Sequence, residues 1–241
     1  MRTFVIGDIH GGLKALIQVL NKIEVTEEDT LIFVGDYVDG WSESAQVIAL
    51  LIDISKKINC VFIKGNHDVW CQEWLETNEV HPTWYMHGGK ETIESYEGFS
   101  TEEKAAHLSF FNKLPLYHLD AENILFLHAG FTSMHGVEKE IFKENFYFDR
   151  TLWELALAMD KTIDKDHIVY PKRFQHYKEI YIGHTPTTNF NKTEPMHAVN
   201  VWNIDTGAAF KGKVTAMNIE SKAFFQSDNL PELYPNEKGR N

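Results

Sequence analysis

The sequence predicts an α/β protein built on a parallel sheet. Short apolar runs ending in glycine alternate with stretches of helical period, and this unit occurs three times in the first third of the chain. Such alternation implies βαβ units. Each glycine is followed by polar residues, which puts chemistry at the carboxyl ends of the strands, the edge where such sheets bind ligands.

The elements follow in order. "RTFVIG" (2–7) precedes Leu13, Leu16, Ile17, Leu20 and Ile23 at i, i+3, i+4 spacing. "TLIFVG" (30–35) precedes Val47, Ile48, Leu51 and Ile54, and "CVFIKG" (60–65) precedes a looser pattern of Val69, Trp70 and Leu75. From 78 to 150 the chain is irregular. Ser100 and Glu103 form a capping box for a helix through about Leu114, which Pro115 ends. "LYHL" and "NILFLHAG" read as strands, and a helix over Leu152–Met159 precedes the strand "KEIYIGHT". "VWNIDTG", "KVTAMNIE" and "AFFQS" predict antiparallel pairing near the end. The closing "DNLPELYPNEKGRN" has little periodicity and reads as a frayed tail without a role.

Composition sets the limits. With 241 residues, 43% of them hydrophobic, the chain suits one domain over 1–226, with a helical insertion at 78–120 and a tail at 227–241. No run approaches the roughly 18 apolar residues of a membrane span. The start lacks a signal-peptide core, and Cys60 and Cys71 read as free thiols, so a cytoplasmic protein is expected. A net charge of −12 argues against nucleic acid as a partner.

Five short strings fall at strand ends: "GDIHG" (7–11), "GDYVDG" (35–40), "GNHD" (65–68), "LHAG" (127–130) and "GHTP" (183–186). They hold Asp8, His10, Asp36, Asn66, His128 and His184. Mixed His, Asp and Asn donors suit borderline divalent metals, manganese first and iron or zinc next, rather than calcium. Six donors exceed what one tetrahedral ion with an open position takes, and suit two ions sharing a carboxylate. Chance placement among 12 histidines explains one such string, not five in register with strand ends. The remaining eight histidines match no ligand position.

This set resembles the phosphoprotein-phosphatase branch of the calcineurin-like metallophosphoesterases, whose pattern is G-D-x-H-G, G-D-x-V-D-R-G, G-N-H-[DE], H-[GA]-G and a late histidine. "WYMHGGKETIESY" (84–96) resembles the insertion of small bacterial and phage-type members, and "GHTPT" and "NIDTGA" resemble their C-terminal halves. The resemblance implies a four-layer α-β-β-α sandwich: two mixed sheets flanked by helices. It also implies that Asp8, His10 and Asp36 hold a first ion. Asp36 would bridge to a second, completed by Asn66, His128 and His184. Phosphomonoester hydrolysis would proceed by in-line attack of a metal-bridging hydroxide, with His67 as general acid and Asp39 orienting it. Two such ions would leave the pocket near about +1 within an acidic chain.

The departure is Gly40, where the family places an arginine that binds phosphate; Trp41 follows it. Arg150 and Arg173 are the candidate replacements. The reading that results is a metal-dependent phosphatase of phosphoserine or phosphothreonine in proteins, or of small phosphoesters. The alternatives are a nucleotide hydrolase similar to the symmetrical dinucleoside tetraphosphatases, and a catalytically weak phospho-binding module. The loss of the arginine and the gain of Trp41 raise the nucleotide alternative.

Overall fold

The computed structural model describes residues 2–240. The first three βαβ units appear as β1 (Thr3–Ile6), α1 (Leu13–Lys22), β2 (Thr30–Phe33), α2 (Ser44–Ile54), β3 (Asn59–Phe62) and α3 (Asn66–Thr77). An insertion of short helices follows: α4 (Pro82–Trp84), a π-type turn (Tyr85–Gly89), α5 (Lys90–Ser95) and α6 (Thr101–Asn112). Then come β4 (Tyr117–Leu119), β5 (Ile124–Leu127), α7 (Asn145–Phe148), α8 (Thr151–Ala158), β6 (Glu179–Ile182), β7 (Met196–Ala198), β8 (Val201–Asn203), β9 (Thr215–Asn218), β10 (Phe224–Gln226) and α9 (Leu230–Leu233).

Ten strands make two five-stranded mixed sheets, ordered β10-β9-β1-β2-β3 and β4-β5-β6-β8-β7. In the first, β1, β2 and β3 run parallel and β9 and β10 add antiparallel. In the second, β5, β6 and β8 are parallel, with β4 and β7 antiparallel at the edges. Strand alternation explains why the runs are apolar throughout. Val5 and Ile32 of one sheet meet Phe126 and Tyr181 of the other between the layers. Phe4, Ile6, Leu31 and Phe33 point outward under α1 and α2, while Leu125, Leu127, Ile180 and Ile182 face Leu152 and Trp153 of α8. Strands buried on both faces need no polar side. The result is the α-β-β-α sandwich that the resemblance implied.

Several details differ from expectation. On α3 the buried residues are Asn66, His67, Asp68, Cys71 and Trp74, whereas Val69, Trp70 and Leu75 are only partly covered. This helix turns its polar start toward the site, so the apolar period misplaces its inner face. The capping box forms as expected, Glu103 N to Ser100 Oγ at 3.2 Å and Ser100 N to Glu103 Oε2 at 2.8 Å. The helix closes at Asn112 because its last turn tightens to i→i+3 bonds, Lys113 N to Phe110 O at 3.1 Å.

The segment expected as a frayed tail is packed. Leu230 and Tyr234 are buried, and Tyr234 stacks on Trp41 with ring centroids 5.2 Å apart. Lys14 N donates to the Tyr234 hydroxyl at 3.0 Å, and Glu237 accepts from Ser42 N at 3.0 Å and Ser42 Oγ at 2.8 Å. Turn-rich sequence lacks period but still buries two large side chains.

Candidate dinuclear metal centre

Asp8, Asp36 and Asn66 stand just beyond β1, β2 and β3, and His128 and His184 just beyond β5 and β6. The two sheets thus bring their carboxyl edges to one place. His10, Asp36, Asp39 and His184 hold left-handed backbone at φ 54°, 54°, 73° and 66°. Such strain persists only where the surroundings over-determine it, as at functional sites. Asp68 is one determinant, accepting from Gly65 N at 2.8 Å, Asp36 N at 2.9 Å and Tyr37 N at 2.9 Å. It ties the second and third loops together. A β-carbon on Gly65 would stand 2.2 Å from Asp36 Oδ1, so only glycine allows this approach.

The side chains converge. His10 Nε2 lies 3.8 Å from Asp8 Oδ2 and 3.6 Å from Asp36 Oδ2. Its Nδ1 is held by the carbonyls of Val38 and Asp39 at 3.2 and 3.0 Å, which turns Nε2 toward the carboxylates. His128 Nδ1 donates to Val34 O at 2.8 Å, and its Nε2 faces Asp36 Oδ2 at 3.3 Å and Asn66 Oδ1 at 3.2 Å. His184 Nδ1 is 3.0 Å from Asn66 Oδ1, and its Nε2 is buried without a partner.

This donor set fits a metal. With Nδ1 committed to Val34, the neutral His128 ring turns a lone pair toward two oxygen acceptors, so positive charge is required between them. Burial opposes charge on His128, but Asp36 and Asp8 overcome it and push its pKa up to about 10. Burial also pushes Asp8 up to about 7 and Asp205 to about 8, the mark of carboxylates short of cations. Burial works the same way on Asp36, yet His128 and His67 hold it well below the usual range. Ligand-type atoms of His10, Asp36 and His67 lie within 4.8 Å of one another, as do those of Asp36, His128 and His184. Asp36 belongs to both groups, as a carboxylate serving two ions must.

His67 lines the cavity beside the ligand residues. Its Nδ1 is 2.6 Å from Asp39 Oδ2, which leaves Nε2 free. Burial lowers its pKa first, and Asp36 counteracts. Asp39 is fully buried, pushed up to about 7 by that burial, and accepts from Thr92 Oγ1 at 2.6 Å and Trp84 Nε1 at 2.7 Å.

A cavity of about 140 Å³ opens over these groups, lined by His10, Asp36, Asn66, His67, His184 and Asp205, with Arg150 and Arg240 among its further walls. Of the two arginines offered by sequence, Arg150 lines it. Arg173 does not: it donates to Phe131 O at 2.7 Å and to Thr151 Oγ1, at the start of α8, at 3.1 Å. All eight sequence-predicted residues meet here. Asp68, Asp205, Trp84 and Arg240 were missed. "GNHD" and "NIDTGA" held the first two in plain view, while nothing local marked Arg240.

The calcineurin-like phosphoesterase family model matches residues 1–209. The chain is 28% identical to an asymmetrical bis(5'-nucleosyl)-tetraphosphatase PrpE of Oceanobacillus iheyensis, covering 93% of this chain and 91% of that protein. It is 26% identical to the protein of that name from Bacillus cereus strain Q1, over 90% of each. Among solved structures, a serine/threonine phosphatase of Saccharomyces cerevisiae with similarity to human PP5 superposes with a TM-score of 0.60 at 16% identity, over 95% of this chain and 80% of that one. A structure provisionally assigned as a diadenosine tetraphosphatase gives 0.63 at 17%, over 93% and 92%. No helix among the described residues is long and apolar enough to cross a membrane. With the family pattern matched across most of its length and its polar residues gathered at the sheet edges, this chain belongs to the calcineurin-like phosphoesterases and is a phosphoric ester hydrolase.

Proposed function

We propose that this hydrolase acts on dinucleoside polyphosphates, using two divalent ions held by Asp8, His10, Asp36, Asn66, His128 and His184. The observation that carries the reading is coverage: relatives bearing the tetraphosphatase name align over 90% or more of both chains. Among the relatives and neighbours, the protein-phosphatase reading has likeness of fold alone, at 16% identity. The relatives' name says asymmetrical, where the motifs suggested the symmetrical kind.

In this arrangement Asp8, His10 and Asp36 hold one ion, and Asp36, Asn66, His128 and His184 the other, manganese first and iron or zinc next. Bound there, the ions supply Lewis acidity and draw a nucleophile from water near neutral pH. The chain's own groups do the rest. His67, fixed by Asp39 at Nδ1, offers Nε2 to the leaving oxygen, a general-acid step worth roughly 10²–10⁴-fold. The cavity, about 140 Å³, is well below the roughly 300–1,000 Å³ that encloses a drug-sized ligand. It therefore takes a phosphate group and leaves the nucleosides along its rim.

The test is hydrolysis of diadenosine tetraphosphate by manganese-loaded protein, with a phosphopeptide and p-nitrophenyl phosphate in parallel. ATP and AMP as products support asymmetrical cleavage, and two ADP the symmetrical kind. Faster turnover of the phosphopeptide than of the nucleotide overturns the reading.

A further inference from the structure

The position of Gly40 raises a question that the catalytic groups leave open. Its φ is +120°, and a β-carbon there would stand 3.2 Å from Arg240 Cγ and 3.7 Å from Arg240 Cδ. The stem of Arg240 therefore lies where a side chain at residue 40 would begin. We propose that Arg240, carried in by the C-terminal segment through the opening that Gly40 leaves, is a phosphate-binding arginine of this site.

Two observations support it. Arg240 lines the same cavity as His10, Asp36, His67 and Asp205. Its Nε is buried without a hydrogen-bond partner, an orphaned charged donor that a phosphate oxygen would satisfy.

The segment is also fastened for this purpose. Arg240 N donates to Ala209 O at 2.9 Å, and its guanidinium lies 5.5 Å from the Phe210 ring centroid. Upstream, Tyr234 stacks on Trp41, Glu237 takes both donors of Ser42, and Gly239 packs against the Trp41 ring. Trp41 is itself fixed by Nε1 donating to Ala208 O at 2.7 Å. The two residues after Asp39 thus act together: Gly40 opens a slot and Trp41 holds the segment that fills it. The anchor residues and Arg240 lie beyond residue 209, where the family match stops. The cavity's other arginine, Arg150, is exposed and stands just before α8.

The proposal rests on the phosphoester chemistry of the site and not on the choice of nucleotide, so its probe is inorganic phosphate. Manganese-loaded full-length protein is compared with Arg240→Ala, Arg240→Gln and Arg240→Lys. Readouts are the phosphate-induced rise in melting temperature, inhibition of p-nitrophenyl phosphate hydrolysis by phosphate, and bound manganese. Loss of a charge-assisted pair should weaken phosphate by about ten- to a hundredfold in Ala and Gln, chiefly in KM, with partial recovery in Lys. Metal content and ligand-free melting should stay close to the parent, because the segment is held at Tyr234 and Glu237. Phosphate affinity within twofold of the parent in Ala and Gln overturns the proposal. So does a loss that tracks lost metal or lost folding, or a parent protein that phosphate does not stabilise. Failure to cleave diadenosine tetraphosphate leaves this test intact.

Discussion

Trp84→Phe tests how the insertion serves the chemistry. Trp84 is buried, and its Nε1 donates at 2.7 Å to Asp39 Oδ2, the same oxygen that faces His67 Nδ1 at 2.6 Å. Phenylalanine keeps an aromatic ring but removes one of three side-chain donors on a fully buried carboxylate, Thr92 supplying the third. Hydrogen bonds to charged groups contribute about 1.5–3 kcal/mol. Part of the loss appears as stability, a fall in Tm of about 2–4 °C per kcal/mol for a chain of this size. The remainder releases Asp39 from its orientation and, through it, His67. At 1.36 kcal/mol per decade, kcat on a poor leaving group such as an alkyl phosphate should fall up to about ten- to a hundredfold. An aryl phosphate leaves without much protonation and should be spared. Steady-state kinetics on both esters, with metal content measured alongside, decides it. Equal losses on the two, or loss that follows depleted metal, would refute the positioning argument and reduce Trp84 to packing.

Three further outcomes are expected. His67→Asn should keep both ions yet lose turnover, most on alkyl phosphates, as seen by metal analysis and kinetics; loss of an ion would make His67 a ligand instead. Asp36→Asn should lower occupancy of both sites together, since both ligand groups share this carboxylate, and titration that empties only one counts against bridging. The contribution of His107 to folding stability should fall between pH 6.5 and 4. Burial lowers buried His107, bonded to the Tyr96 hydroxyl at 2.9 Å, to about 4, so the unfolded chain gains the proton first and on the order of 3 kcal/mol is lost as pH falls. His107→Gln should flatten that slope in denaturant melts.

The sheet edges were legible because their signals are short and local. A glycine with an aspartate, asparagine or histidine within a few residues already states a strand end and a ligand, and five such strings fix both sheets' carboxyl edges. The inner face of α3 was misjudged because three polar residues at its start, Asn66, His67 and Asp68, are buried for chemistry and not for apolarity. The indole N–H of Trp84 has a polar duty, its bond to Asp39, that periodicity cannot express. Arg240 was invisible for a different reason. A family pattern locates function by position in the motif, whereas an arginine entering from another segment satisfies the same space without touching the motif.

Loop 36–41 shows why these separate contributions belong together. Asp36 and Asp39 are non-glycine residues at positive φ, so two of six positions resist the shape they hold, while Gly40 takes its +120° without that cost. Such positions cost on the order of 1–3 kcal/mol each for side chains larger than glycine, and the loop keeps its form only through outside bonds. Asp68 holds its start at Asp36 N and Tyr37 N. Ser44 and Thr92 hold Asp39 N, at 3.1 and 3.0 Å, and Gly88 O takes Gly40 N at 3.3 Å. His10 O takes Trp41 N at 3.0 Å. Each clamp comes from a different segment: α3, α2, the insertion and the first strand-end loop. The C-terminal segment adds the last, against the Trp41 ring. A loop so held places the shared carboxylate Asp36 and the acid's partner Asp39 three residues apart with opposite tasks. Removing any one clamp relaxes the strain at the expense of both.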